Sequence, residues 1–144
     1  MFALYVVNKH GSLLYQNDIV PRSQPSSTND RIRWASTFHA LSAMAAEISP
    51  VKSDSPKGIE SVNFGDFVLH CKQTMTGMQF ILIANSLVTG KMASEILTAV
   101  YQVYADYALK NPFYSMDMPI RLCGFNRGIR QVVATYQRNV PSIN

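Results

Sequence analysis

The apolar positions along the chain change period several times, and each change marks an element. Phe2-Ala-Leu-Tyr-Val-Val7 is rich in strand formers, Asn8-Lys-His-Gly11 supplies turn residues, and Ser12-Leu-Leu-Tyr-Gln16 resumes the strand, so an N-terminal hairpin is expected. Residues 19–28 hold Pro21, Pro25 and Ser26-Ser27-Thr28 with no apolar period and read as a surface loop. Thr28 or Asn29 then caps a helix with Asp30 in its first turn, whose apolar stripe is Trp34, Phe38, Leu41, Ala45 and Ile48. Pro50 ends this helix, and residues 52–58 form a second polar loop.

Three strands follow, at residues 59–64, 67–74 and 78–84, with turn chemistry at Gly65-Asp66 and Thr76-Gly77. The run Phe80-Ile-Leu-Ile-Ala84 does not alternate, which marks a central strand covered on both faces. A helix from about residue 92 to 109 carries Ile96, Leu97, Val100, Tyr104, Tyr107 and Ala108 at helical spacing, and Asn111-Pro112 stops it. A last helix starts near Phe125 and repeats Phe125, Ile129, Val132 and Tyr136. The order ββαβββαα predicts one α+β domain over residues 1–144. Its five-stranded antiparallel sheet carries the Trp34/Phe38 helix on one face and the two later helices on the other.

Composition narrows the partners. Hydrophobic residues make up 47% and charged residues only 15%, against roughly 25% charged in an average soluble domain, so the isolated chain is expected to expose apolar surface and self-associate. The longest apolar run, Met1 to Val7, is far short of a bilayer span of about 20 residues. It has neither a basic start nor a cleavage site, and the chain reads as cytosolic. The net charge is +4, but the cations are scattered, which argues against nucleic acid. The one local excess is Arg121, Arg127, Arg130 and Arg138, opposed in residues 111–144 by Asp117 alone. That segment carries +3, enough for a weak attraction to anionic lipid or to an acidic partner.

Candidate chemistry is thin. No phosphate-binding glycine loop, nucleophile elbow, zinc-protease or calcium-loop motif occurs. Cys71 and Cys123 form no metal-binding pattern and read as buried thiols. His70 and Cys71, as neighbours on a strand, point to opposite faces and cannot make the contact a nucleophile and its base require. His39 lies just beside the apolar stripe and reads as a satisfied, partly buried side chain, while Asp66, Glu60, Glu95 and Asp106 read as solvated surface.

One segment departs from its surroundings. In Asn111-Pro-Phe-Tyr-Ser-Met-Asp-Met-Pro-Ile-Arg-Leu122, the residues Tyr114, Met116, Met118, Ile120 and Leu122 alternate with polar positions and Pro119, although the segment links two helices. Two readings are open. It is a connector whose apolar side seals the core, or a docking strip stiffened by its prolines and rich in the side chains found at interface centres. On the second reading Phe113, Tyr114, Met116, Met118, Ile120 and Arg121 contact a partner.

Leu69-His-Cys-Lys-Gln-Thr-Met-Thr-Gly77, and Lys110-Asn-Pro-Phe-Tyr-Ser-Met-Asp-Met-Pro-Ile-Arg121 after Tyr104-Ala-Asp-Tyr-Ala-Leu109, resemble the synbindin family of TRAPP vesicle-tethering subunits. Leu4-Tyr-Val-Val-Asn-Lys9 and Trp34-Ala-Ser-Thr-Phe-His-Ala-Leu41 resemble it too, so the match covers most of residues 1–125. The resemblance implies a longin-type, profilin-like fold. It also implies a non-catalytic core subunit that joins longin-type and α/β-type TRAPP subunits and lends surface to nucleotide exchange on a Rab GTPase. It places the chain in the cytoplasm, peripheral to Golgi and endoplasmic reticulum membranes, with no cofactor or metal. Exchange favours the nucleotide-free conformation of the GTPase and needs a shaped surface rather than a reactive side chain. Animal members carry a small PDZ-like insert between the second strand and the first helix, where this chain has only the loop near residues 19–28. Two alternatives stand beside this reading. The longin domain of a SNARE or adaptor chain is disfavoured because no heptad segment or anchor follows residue 140. A small thiol enzyme would use Cys71 or Cys123.

Overall fold

In the computed structural model, residues 3–19, 27–51 and 58–140 are described. The expected loops at 19–28 and 52–58 lie mostly outside them. Strands β1 (Ala3–Val7), β2 (Leu13–Asp18), β3 (Ser61–Asn63), β4 (Phe67–Gln73) and β5 (Gln79–Asn85) form one sheet in the order β2-β1-β5-β4-β3. Every neighbouring pair is antiparallel. The apolar run expected at the centre of the sheet is there, in β5, where Ile83 pairs with both Ala3 and Leu69. The three turns expected to use glycine have it at positive φ, Gly11 at 85°, Gly65 at 89° and Gly77 at 85°.

Because side chains alternate along each strand, the sheet has two apolar faces. Leu4, Val6, Phe80 and Leu82 face α2 (Gly90–Tyr104) and α3 (Cys123–Gln137). Ala3, Tyr5, Val7, Leu69 and Ile81 face α1 (Thr28–Ile48). Three helices on two faces is the architecture the pattern predicts.

Three details differ. The cap of α1 is Ser27 rather than Thr28 or Asn29. Its hydroxyl accepts from the Asp30 amide at 3.2 Å, while the Asp30 carboxylate accepts from the Ser27 amide at 3.3 Å. The buried line of α1 is Ala35, Phe38 and Ser42, with Trp34 half-buried, whereas Leu41 and Ile48 are exposed. Leu41, one residue before buried Ser42, lies on the flank of the helix, and length explains Ile48. A helix of 21 residues is about 31 Å long at 1.5 Å per residue, longer than the ~20 Å that strands of this size span, and no residue of α1 after Ser42 is buried. Ser42 tethers the helix where its seating ends, its hydroxyl accepting from the Ile59 amide at 3.2 Å. Finally, the second long helix is α-helical only to Tyr104 and widens into a π-helical turn at Ala105–Leu109. Val103 before this turn and Tyr107 within it, the latter expected in the apolar stripe but exposed, pack against Gly128 and Gly124 of α3, where a Cβ would come within 2.7 Å of either side chain.

Candidate partner-binding surface

The segment after the π-helical turn crosses one end of the sheet. The register places Val7, Leu13, Gln73 and Gln79 at that end, with the β1–β2 and β4–β5 turns beyond. Asn111 starts the segment, its carbonyl accepting from the Tyr114 amide at 3.2 Å and its side-chain oxygen from the Phe113 amide at 3.0 Å. A second turn closes at 3.0 Å from the Met118 amide to the Ser115 carbonyl. The expected strand-like alternation is therefore broken by two turns. Pro112 and Pro119 have no amide proton for a ladder, and the segment bonds to the sheet at Ile120, whose amide donates to the Leu14 carbonyl of β2 at 2.8 Å.

The six candidate contact residues separate. Ile120 is buried in the α2/α3-side core, and Tyr114 packs against that core half-buried. The Tyr114 hydroxyl donates to the Met118 carbonyl at 2.9 Å. Burial first, and then the neighbouring Tyr104 and Asp117, push this hydroxyl up to about 12, so it keeps the proton it donates. Phe113 is 93% exposed, Met116 and Met118 about half exposed, and Arg121 exposed. Asp117 ties the segment to the first hairpin by accepting from the Asn8 side-chain amide at 3.1 Å. The Asn8 side-chain oxygen in turn accepts from the amides of His10 and Ser12. The result is a loop pinned by Tyr114, Asp117 and Ile120 that presents Phe113, Met116 and Met118 to solvent.

A second apolar surface was not anticipated. Leu41, Met44 and Ile48 recur at three and four residues along one flank of α1, followed by Val51, and all four are exposed. The sequence carried the signal, since apolar residues occupy more of the helix circumference than one buried face requires.

Among the described residues His70 and Cys71 do not form a reactive pair. His70 pairs with Leu82 and Cys71 with Ile81, residues of opposite core layers, so the two side chains diverge. Cys71, expected to be buried, is half-buried beside the cavity described below; partial burial still pushes its thiol up to about 12, and burial lowers the His70 imidazole. Cys123, expected to be buried, is exposed because it opens α3 on the helix's outer side. His39 approaches Gln79 at 3.4 Å, as a satisfied side chain should. Asp66, Glu60, Glu95 and Asp106 are exposed, Asp106 pairing with Lys110 at 3.1 Å. Among the described residues no three metal-ligating side chains come together, and no helix is long and apolar enough to cross a membrane. A cavity of about 530 Å³ between β4, the residues before β3 and α2 is lined by His70, Lys72, Ser61, Ser94 and Leu97 among others. The Lys72 ammonium donates there to Thr98 at 2.7 Å.

An antiparallel sheet with one helix on one face and two on the other is a longin-like layout. This layout is similar to a chain in a homology model of the full-length AP-3 complex, with a TM-score of 0.51 and 10% identity over 98% of this chain and 99% of the other, a likeness of fold alone. The chain belongs to the sybindin-like family, whose profile matches residues 1–136. It is 45% identical to trafficking protein particle complex subunit 4 of Dictyostelium discoideum over 83% of this chain and 85% of the relative. Against the Homo sapiens protein of the same name, identity is 39% over 72% of this chain, and the match spans 46% of the human protein's length.

Proposed function

We propose that this chain is a non-catalytic subunit of a TRAPP vesicle-tethering complex, the counterpart of subunit 4. In this reading it lends surface to nucleotide exchange on a Rab GTPase in endoplasmic reticulum to Golgi transport. It works in the cytoplasm, peripheral to both membranes, beside longin-type and α/β-type sister subunits. The observation that carries the reading is the pinned loop. Ordering Phe113, Met116 and Met118 outward from anchors at Tyr114 and Ile120 holds apolar surface in place before a partner arrives, so little ordering entropy is left to lose on binding. A GTPase gains from such a scaffold when the assembled surface binds its nucleotide-free form better than its loaded form, and that preference requires no proton transfer.

The test is reconstitution of the chain with its sister subunits, followed by release of a fluorescent guanine diphosphate from the Rab. Met116→Asp with Met118→Asp should prevent assembly and remove stimulated release, while the isolated chain still folds and its melting temperature falls by roughly 10 °C at most. A variant complex that assembles and accelerates release like the unaltered one would sink the assignment of this loop.

A further inference from the structure

Helix α3 presents Arg127 and Arg130, and its C-cap Arg138, all exposed, with exposed Arg121 just before the helix. At 100° per residue, Arg127 and Arg138 share one line, with Ala134 between them and Arg130 beside it. The two ends of this line are about 17 Å apart. Among the described residues none of the four arginines forms an ion pair, and the described pairs, Asp18–Arg31 and Asp106–Lys110, lie elsewhere. From residue 118 to 140 there is no acid at all. Fold stability does not explain the pattern. The first turn of α3 has no acidic residue, and Arg121 before it opposes the helix dipole; Arg138 alone, at the C-cap, complements it.

Two observations choose the occupant. A span of about 17 Å is too long for one phosphate or carboxylate and suits a field of anions. None of the exposed large hydrophobic side chains lies on α3, so the face lacks the apolar anchor around which protein interfaces are centred. We propose that the outer face of α3 rests on an anionic lipid surface, where mobile head groups gather beneath the arginines. The exposed apolar surfaces of α1 and of the 113–118 loop are then left for protein partners. The proposal does not rest on the exchange role, and the vesicle experiment needs only this chain, so either can fail alone.

The experiment is flotation of the full chain with phosphatidylcholine vesicles, with and without about 30 mol% phosphatidylserine. The unaltered chain should float with the anionic vesicles only and detach as salt rises from about 0.05 to about 0.5 M. Arg127→Gln, Arg130→Gln and Arg138→Gln together should lower the partition coefficient roughly a hundredfold, at about fivefold per arginine. A charge-matched control, Arg33→Gln, Lys91→Gln and Lys110→Gln, should lose far less. Melting curves of both triple variants should match that of the unaltered chain, and the salt titration reads the same interaction without any substitution. The proposal is overturned if the chain ignores anionic vesicles, if it floats equally with neutral ones, or if the two triple variants lose binding alike. It is equally overturned if the arginine variant keeps lipid binding and instead loses capture of an acidic sister subunit.

Discussion

Ile120 and Met118 sit two residues apart in the same loop, and an aspartate at each should have opposite consequences. Ile120 is 4% exposed and Met118 52%. Truncating a buried isoleucine costs roughly 2–5 kcal/mol through lost transfer energy and the cavity left behind. A carboxylate in that site adds several kcal/mol of desolvation because nothing there can pair with it. The sum approaches the ~5–15 kcal/mol that holds a typical domain together, so Ile120→Asp should leave the chain largely unfolded at room temperature. At Met118 about half of the side chain is already in water. Full burial of a methionine is worth ~1.5–3 kcal/mol, so no more than about 1.5 kcal/mol can be lost, and the new carboxylate stays solvated. For a chain of this length that is a fall in melting temperature of roughly 3–6 °C. Far-UV circular dichroism melts of the purified variants decide it. An Ile120→Asp chain that melts within a few degrees of the unaltered protein, or a Met118→Asp chain that is equally unfolded, would show that the loop is not anchored as described.

Two further outcomes follow from packing and burial. At Gly128 an added Cβ would meet Val103 at 2.7 Å, so Gly128→Ala should lose about 1–2 kcal/mol to overpacking despite the ~1 kcal/mol helix preference for alanine, and Val103→Ala should restore it; a stabilised single variant in urea titration would reverse the argument. Burial holds Cys71 protonated until about pH 12, against 9.0 for the ordinary thiol, so iodoacetamide below pH 10 should label exposed Cys123 and spare Cys71. Because the unfolded thiol ionises first, the stability that Cys71 contributes is complete below pH 9 and is lost as pH rises toward 12; labelling of half-buried Cys71 at pH 8 as fast as Cys123, by peptide mass mapping, would contradict that shift.

What the sequence by itself determined is the set of strands, their turns and their faces. A strand reports its environment through a period of two. For that reason the unbroken run from Phe80 to Ala84 identified the centre of the sheet, and the adjacency of His70 and Cys71 sufficed to separate them. Local turn chemistry did the same for Gly65 and Gly77. The helices were legible in existence and position, but the extent of their burial was not, since a helical stripe does not record how far the sheet beneath it extends. Ile48 fits the buried stripe of α1 and lies in solvent because the sheet ends before the helix does, whereas Leu41 lies in solvent on the flank beside buried Phe38 and Ser42. The 111–122 loop shows the same limit more sharply. Its alternation of apolar residues is real, but tertiary contacts with β2 and Asn8 decided which of them turn inward. Tyr114 and Ile120 became anchors and Phe113, Met116 and Met118 the exposed surface, a division set by partners more than 100 residues away in the chain.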